Sequence, residues 1–140
     1  MILVDTSVWI SYLNGTGSPE CDVLDRALDE GTTAIGHIVF LEILQGLKND
    51  KDYKNTKEQL SKLDQYELFG HHMVEKCAKN YRLLRKKGIT IRSTTDVIIA
   101  TFCIENKLPL LFSDRDFLPF IQHLKLRAVP QNNALHTGEP

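Results

Sequence analysis

The sequence lacks any hydrophobic run long enough to cross a membrane. The apolar start of the chain breaks at Asp5, and no later run approaches the ~20 apolar residues that a spanning helix needs. The N-terminus also lacks the basic segment that opens a secretory signal peptide. We therefore expect a cytoplasmic protein that makes no membrane contact.

Cysteine is scarce, and its spacing excludes two classes of small domain. Cys21, Cys77 and Cys103 are odd in number, widely separated and free of any C-x-x-C pattern. This arrangement argues against a disulfide framework and against a zinc site. We interpret each cysteine as a small buried apolar residue in a reducing compartment.

An excess of charge of either sign is also missing. Lysine and arginine total 17 against 18 aspartates and glutamates, so no overall positive field attracts nucleic acid. Any contact with nucleic acid must therefore be local. The remaining composition, 42% hydrophobic and 25% charged over 140 residues, is typical of one folded globular domain.

Short apolar runs alternate along the chain with segments of helical periodicity. The runs "ILV", "TTAIG", "YELF", "LPLLF" and "LRAV" predict strands. One intervening helix is delimited clearly, by Ser18 and Pro19 at its start and Gly31 at its end. This alternation predicts a three-layer α/β/α domain over residues 1–130, with a mainly parallel sheet of about five strands. Residues 131–140 are expected to form a polar C-terminal tail.

Four acidic residues lie next to strongly apolar sequence, where an uncompensated carboxylate is costly. Asp5 follows the first strand, and Asp114 follows "LPLLF". Glu42 interrupts an apolar helix, and Asp96 lies in the first turn of another. In open parallel sheets, ligands bind beyond the carboxyl ends of the strands. If the four acids converge there, their repulsion requires a divalent cation, and oxygen ligands favour Mg²⁺ or Mn²⁺.

Each acid also has a purely structural interpretation. Asp5 is placed to cap the helix that follows it. Asp114 and Asp116 have the alternative of being turn residues, with Asp116 capping the helix through Phe117. Ser93 and Asp96 have the spacing of a capping box, and Glu42 has the alternative of facing solvent. The sequence leaves these alternatives open for each acid alone, so a metal site depends on convergence.

The blocks "VDTSVWI", "LEILQG", "TTDVIIA" and "LLFSDRDF" resemble the acidic blocks of PIN-domain ribonucleases, most closely the VapC-type toxins of prokaryotic toxin–antitoxin pairs. The resemblance extends from Met1 to about Pro130 in block order and spacing. It implies a metal-dependent endoribonuclease that hydrolyses RNA phosphodiester bonds. It also implies a homodimer held through helices and a cognate antitoxin protein that occupies the acidic groove.

The resemblance also implies roles for individual residues. The catalytic and metal-binding quartet of the family corresponds to Asp5, Glu42, Asp96 and Asp114. Asp116 corresponds to an auxiliary acid of some members. Positions at which a hydroxyl group binds water or phosphate correspond to Thr6, Ser7 and Ser113. For Thr6 and Ser7, however, the sequence favours helix capping.

A basic segment precedes the third acid and is the candidate RNA contact. It contains five cations and no acid: Arg82, Arg85, Lys86, Lys87 and Arg92. We expect these residues, together with Arg115 between two aspartates, to bind RNA phosphates. The alternative is a solvated helix end stabilised by the helix dipole and, for Arg115, pairing with its neighbours.

Two other functions remain open at this point. An aspartate followed by a threonine after a strand also begins the site of phosphatases that use a covalent aspartate. The haloacid-dehalogenase-like phosphatases, however, usually carry a general-acid aspartate where Ser7 stands. A noncatalytic RNA- or protein-binding module of the same fold is the second alternative. For the nuclease, the hypothesis is in-line attack by water that leaves a 5′-phosphate and a 3′-hydroxyl.

Overall fold

Four parallel strands form the sheet of the computed structural model, which describes residues 1–131. Their order in space is β3-β2-β1-β4. Their bounds are β1 (Ile2–Val4), β2 (Thr33–Gly36), β3 (Asp64–Tyr66) and β4 (Leu110–Leu111). Leu3 and Val4 in β1 are both fully buried, although successive side chains point to opposite faces of a strand. The sheet is therefore covered on both faces, and the predicted α/β fold with a parallel sheet is confirmed.

Seven α-helices lie among residues 1–131, together with two short 3₁₀ turns at His71–Met73 and Arg115–Phe117. The helices are α1 (Thr6–Leu13), α2 (Pro19–Glu30), α3 (His37–Gly46), α4 (Asp50–Leu60), α5 (Val74–Lys86), α6 (Thr94–Asn106) and α7 (Leu118–Leu124). None of them is long and apolar enough to span a bilayer.

The local signals at the ends of α2 act as the sequence indicates. The Ser18 hydroxyl accepts a hydrogen bond from the amide of Cys21, and Pro19 occupies the first helical position. Gly31 ends the helix with a φ of 71°, a left-handed conformation that glycine adopts without strain. The three cysteines are free and buried, as predicted.

The sheet differs from the prediction at both edges. Strand β3 is Asp64–Tyr66, so it precedes most of the predicted "YELF" strand. Leu68 is buried for another reason: a Cβ atom on Gly36 would lie 2.4 Å from its Cδ1 atom, so the two residues are in close contact. At the other edge, the predicted "LRAV" strand is reduced to a single parallel bridge between Leu110 and Ala128. The sheet thus has four strands where about five were expected.

The core lies on both sides of the sheet and holds the largest side chains. Trp9, Phe117 and Phe120 are each 1% exposed or less. Phe117 closes the 3₁₀ turn that follows β4, so this turn is anchored to the core beside the carboxyl end of the strand. Of the predicted C-terminal tail, only Gln131 belongs to the described residues.

Candidate active site

Asp5 is placed where strand β1 ends and α1 begins. Its carboxylate caps α1 by accepting hydrogen bonds from the Ser7 amide at 3.4 Å and the Ser7 hydroxyl at 2.6 Å. The residue is 5% exposed. Burial raises the pKa of Asp5 and the charge of Asp114 adds to the rise, whereas the hydrogen bonds from Ser7 oppose it. The predicted capping role of Asp5 is confirmed, and it does not exclude a second role.

Glu42 is held in a similar way by the hydroxyl group of Thr6, the residue before Ser7. The Thr6 hydroxyl donates a hydrogen bond of 2.6 Å to Glu42 Oε1, which joins the start of α1 to the middle of α3. The sequence favours helix capping for Thr6 and Ser7, but the residue that caps α1 is Asp5. The two hydroxyl groups each bind a carboxylate, and we call Asp5 and Glu42 the hydroxyl-bonded acids.

Three further acids form a cluster that we call the acidic triad: Asp96, Asp114 and Asp116. One carboxylate oxygen from each lies within 4.8 Å of the other two. Asp96 lies in the first turn of α6, where its amide donates to the capping hydroxyl of Ser93 at 3.3 Å. This confirms the predicted cap.

The turn that carries Asp114 and Asp116 differs from the prediction. Asp114 caps the 3₁₀ turn Arg115–Phe117, because its Oδ1 accepts the amide of Asp116 at 2.9 Å. Asp116 lies inside the turn, so its predicted capping role is wrong. The tight turn instead brings one carboxylate oxygen of each residue within 4.8 Å of an Asp96 oxygen.

The hydroxyl-bonded acids and the acidic triad meet at the carboxyl ends of β1 and β4. The Ser7 and Ser113 hydroxyl oxygens are 3.1 Å apart and so connect the residue that binds Asp5 with the residue before Asp114. Burial raises the pKa of Asp96 to about 7, with further contributions from the charges of Asp5, Asp114, Asp116 and Glu42. The pKa of Asp96 therefore depends on the charges of the other four acids.

The exposed side chain of Arg92 lies beside the triad. Arg92 Nη2 is 3.6 Å from Asp116 Oδ2, and the Arg92 side chain is 84% exposed. An ion pair of this exposure contributes little, about 0–1 kcal/mol, and it involves only one of the three carboxylates. The negative charge of the triad is thus largely uncompensated by Arg92.

The donor set of the triad fits a hard divalent cation. Its ligand atoms are all carboxylate oxygens, which Mg²⁺ and Mn²⁺ prefer. Of the predicted quartet, Asp96 and Asp114 belong to the triad, whereas Asp5 and Glu42 lie outside the group within 4.8 Å. Asp116, predicted as an auxiliary acid, lies inside it.

The predicted RNA-binding cations lie at several places around this site. Arg82 and Arg85 line a groove with Thr94 and Val97 of α6, the helix that carries Asp96. The Arg85 guanidinium lies 5.5 Å from the ring centre of Tyr81. The remaining cations are exposed: Lys86 and Lys87 at the end of α5, Arg92 beside Asp116, and Arg115 inside the 3₁₀ turn.

Similarity to known proteins agrees with this geometry. The chain is 30% identical over 119 residues to VapC ribonuclease Mb1587 of Mycobacterium bovis and to ribonuclease VapC11 of Mycobacterium tuberculosis, which covers 84% of this chain and 89% of each relative. The solved VapBC2 of Rickettsia felis, bound to a DNA fragment from its promoter, has a TM-score of 0.72 at 20% identity, covering 92% of this chain and 98% of that one. A toxin–antitoxin complex from Klebsiella pneumoniae has a TM-score of 0.58 at 21% identity, covering 90% and 95%. The family model described as PIN domain matches residues 2–119, and the chain therefore belongs to the PIN domain family.

Proposed function

We propose that the protein is a metal-dependent endoribonuclease and the toxin of a VapBC-type toxin–antitoxin pair. The observation that carries the proposal is the acidic triad, linked through Ser113 and Ser7 to the buried carboxylate of Asp5. Family membership and the ribonuclease names of the relatives at 30% identity support the same activity. The substrate proposed is RNA, and the bond hydrolysed is a phosphodiester.

The acids of both groups have proposed roles in this reaction. Asp96, Asp114 and Asp116 would hold Mg²⁺ or Mn²⁺, and Asp5 and Glu42 would complete the catalytic set with their negative charge. When bound, the ion supplies Lewis-acid activation of water and of the phosphate. The proposed products are a 5′-phosphate and a 3′-hydroxyl. A 2′,3′-cyclic phosphate end would contradict this, because it requires attack by the RNA's own 2′-hydroxyl.

The hydroxyl groups position the acids. Thr6 and Ser7 each donate a hydrogen bond of 2.6 Å to a carboxylate, which fixes Glu42 and Asp5 before any substrate binds. Ser113 extends this network toward Asp114. The same geometry argues against Asp5 as a phosphatase nucleophile, since its carboxylate is nearly buried and is occupied as a helix cap.

The test of the activity is Mn²⁺-dependent cleavage of a structured RNA. Asp96→Asn should lower the cleavage rate by at least about 100-fold. The loss of a residue that only supports a metal ligand already costs about 10–100-fold, and Asp96 is proposed as a ligand. Asp52→Asn on the solvated helix α4 is the matched control and should cleave at the wild-type rate. Equal cleavage by Asp96→Asn and wild type would mean that a contaminating nuclease produces the signal.

The cations around the site are the proposed RNA contacts: Arg82, Arg85, Lys86, Lys87, Arg92 and Arg115. Each phosphate contact contributes ~0.7 to the slope of log affinity against log salt for a single strand. Replacing Lys86 and Lys87 with glutamine should therefore lower that slope by about 1.4. Replacing Lys54 and Lys57 on α4 makes the same charge change elsewhere and should leave the slope unchanged. An unaltered slope for the first pair would exclude it from the RNA path.

The proposal also includes partners and a compartment. A cognate antitoxin protein is proposed because the solved structures of similar fold are toxin–antitoxin complexes. A homodimer held through helices is supported by exposed apolar side chains at the groove beside α5, where Phe69 is 45% and Val74 is 48% exposed. Light scattering should then give twice the 16.0 kDa mass of the chain, and Val74→Lys should reduce it to that of a monomer. The free cysteines fit the proposed cytoplasmic location.

A further inference from the structure

A small cavity lies directly beside the acidic triad, on the side of Ser113 and Arg115. Its volume is about 210 Å³, and Ser113 and Arg115 both line it. These two residues flank Asp114 in the chain, and the Ser113 hydroxyl contacts that of Ser7 at 3.1 Å. A strand of RNA whose phosphate lies at the acids would therefore bring a neighbouring base to the mouth of this cavity.

The walls of the cavity are suited to one planar ring system. Leu110, Phe112, Leu118 and Val129 provide apolar surface, and the Phe112 ring lies 5.4 Å from that of Phe117, which packs in the core behind it. Unstacked RNA bases are typically bound between apolar or aromatic side chains. The volume is below the ~300–1,000 Å³ of pockets for drug-sized ligands, so the cavity accommodates a base and leaves the sugar and phosphate outside.

One carboxylate, that of Glu20, lines the cavity together with the polar side chains of Ser113, Arg115 and Gln131. Glu20 lies in the first turn of α2, and its Oε2 accepts a hydrogen bond of 3.1 Å from the side-chain amide of Gln131, which also lines the cavity. Gln131 thereby fixes the position of the carboxylate. An ionised carboxylate only accepts hydrogen bonds, so it selects a base edge that presents donors.

We propose that this cavity binds an unpaired guanine base of the RNA adjacent to the cleaved phosphodiester, with Glu20 as the residue that determines specificity. Guanine alone presents two neighbouring donors on its Watson–Crick edge, N1–H and N2–H₂. The corresponding edges of adenine and cytosine place an acceptor beside a donor, and uracil places its single donor between two carbonyl groups. Arg115, which also lines the cavity, would bind the phosphate of the same nucleotide. The inference rests on the proposed function, since it takes RNA as the ligand.

The test is binding of four fluorescent RNA hexamers, UUNUUU with N as G, A, C or U, to the full chain carrying Asp96→Asn. Chelator prevents cleavage, so anisotropy gives base preference independently of nuclease activity. The G probe should bind about tenfold tighter than the U probe, within the range of one bidentate contact between a side chain and a base. Glu20→Gln should reduce this preference to about twofold or less, because an amide presents a donor as well as an acceptor.

Two further variants keep the result interpretable. Glu30→Gln at the other end of α2 is the matched control and should retain the full preference for G. Ala128→Phe fills the cavity from an exposed position and should lower the affinity for the G probe to that for the U probe. Equal binding of the four probes, or a preference that survives Glu20→Gln, would overturn the guanine site alone. Absence of binding to all four would overturn it together with RNA as the ligand.

Discussion

The two halves of the acidic site differ in how their carboxylates are compensated. The hydroxyl-bonded acids, Asp5 and Glu42, each receive a hydrogen bond of 2.6 Å from a hydroxyl group of α1. In the acidic triad, Asp114 Oδ1 accepts the backbone amide of Asp116, and Asp116 has a long ion pair with the exposed Arg92. The first half is thus stabilised from within the chain, whereas the second half leaves charge for a ligand to neutralise.

This difference separates a positioning role from a binding role. A carboxylate that is already bonded to a hydroxyl group has less to gain from an ion than one that faces only other carboxylates. The triad should therefore determine metal affinity, and the hydroxyl-bonded acids should determine the stability of the site without metal. Replacing one acid by its amide in each half can test this distinction.

The largest effect is expected for metal binding to Asp114→Asn. At a Mn²⁺ concentration of about 100 Kd, wild type should gain ~2.7 kcal/mol in free energy of unfolding. A loss of about 100-fold in affinity would reduce that gain to ~0.4 kcal/mol. Urea unfolding with and without Mn²⁺ measures both values.

The same experiment on Glu42→Gln shows whether the hydroxyl-bonded acids contribute less to Mn²⁺ affinity than the acidic triad does. This variant also removes one acid, but from the hydroxyl-bonded half, so it should lose only about tenfold or less in Mn²⁺ affinity. Asp52→Asn on α4 should match wild type. A loss for Glu42→Gln as large as that for Asp114→Asn would show that the two halves bind the ion equally.

The next effect is the loss of stability expected for Ser7→Ala without metal. The variant removes the closest donor to Asp5, a residue that is 5% exposed and cannot recover that hydrogen bond fully from water. The cost should be about 1–3 kcal/mol at neutral pH in urea unfolding with chelator present.

Ser11→Ala is the matched control, since it makes the same change on the same helix. It should be neutral or stabilising by up to ~0.5 kcal/mol, because alanine is the better helix former. If Ser7→Ala behaves like Ser11→Ala, then Asp5 does not depend on the Ser7 hydroxyl.

Much of the fold could be predicted because its signals are local. The cap, proline and terminal glycine of α2 lie within one stretch of sequence, and each acts where the pattern places it. The sheet edges were less predictable, since the burial of Leu68 comes from its contact with Gly36 and not from a strand. The predicted fifth strand, "LRAV", forms a single bridge at Ala128. Its apolar pattern does not reveal that it pairs at one residue instead of along a strand.

The candidate site could be predicted as a set of residues, but its internal arrangement could not. Asp5 and Asp114 both follow buried strands, and parallel strands bring such residues to one edge. Thr6 donates to Glu42, 36 residues away, and Ser7 contacts Ser113, 106 residues away, besides donating to the nearby Asp5. No local pattern encodes such pairs, so local capping was favoured for the two hydroxyl groups.

A smaller effect is expected from the titration of Asp96 in metal-free protein. Its pKa is raised from 3.8 to about 7 in the folded state, so between these values the folded state holds more protons than the unfolded state. Stability therefore decreases as pH rises through this window, and the cost is complete above pH 7. Asp96→Asn removes the cost and should be more stable than wild type at pH 8.

Because Asp96 is only half-buried, solvent screening limits this gain to about 1 kcal/mol. The gain should shrink at pH 5, where folded wild type is protonated at Asp96, and thermal unfolding with chelator at the two pH values measures it. A gain that is equal at both pH values would assign it to packing and not to charge.

The smallest effect is expected for Arg92→Gln, which removes the cation that pairs with Asp116. The change in stability should stay below about 0.5 kcal/mol, because the Arg92 side chain is 84% exposed and 3.6 Å from Asp116. The variant should bind Mn²⁺ slightly more tightly, since a competing positive charge is gone, and RNA more weakly, since a phosphate contact is lost. Lys54→Gln, an equal change of charge on α4, should alter neither affinity. Weaker binding of Mn²⁺ to Arg92→Gln would instead mean that Arg92 holds Asp116 in position for the ion. Part of the triad's negative charge would then be balanced by a side chain of the protein, as it is for the hydroxyl-bonded acids.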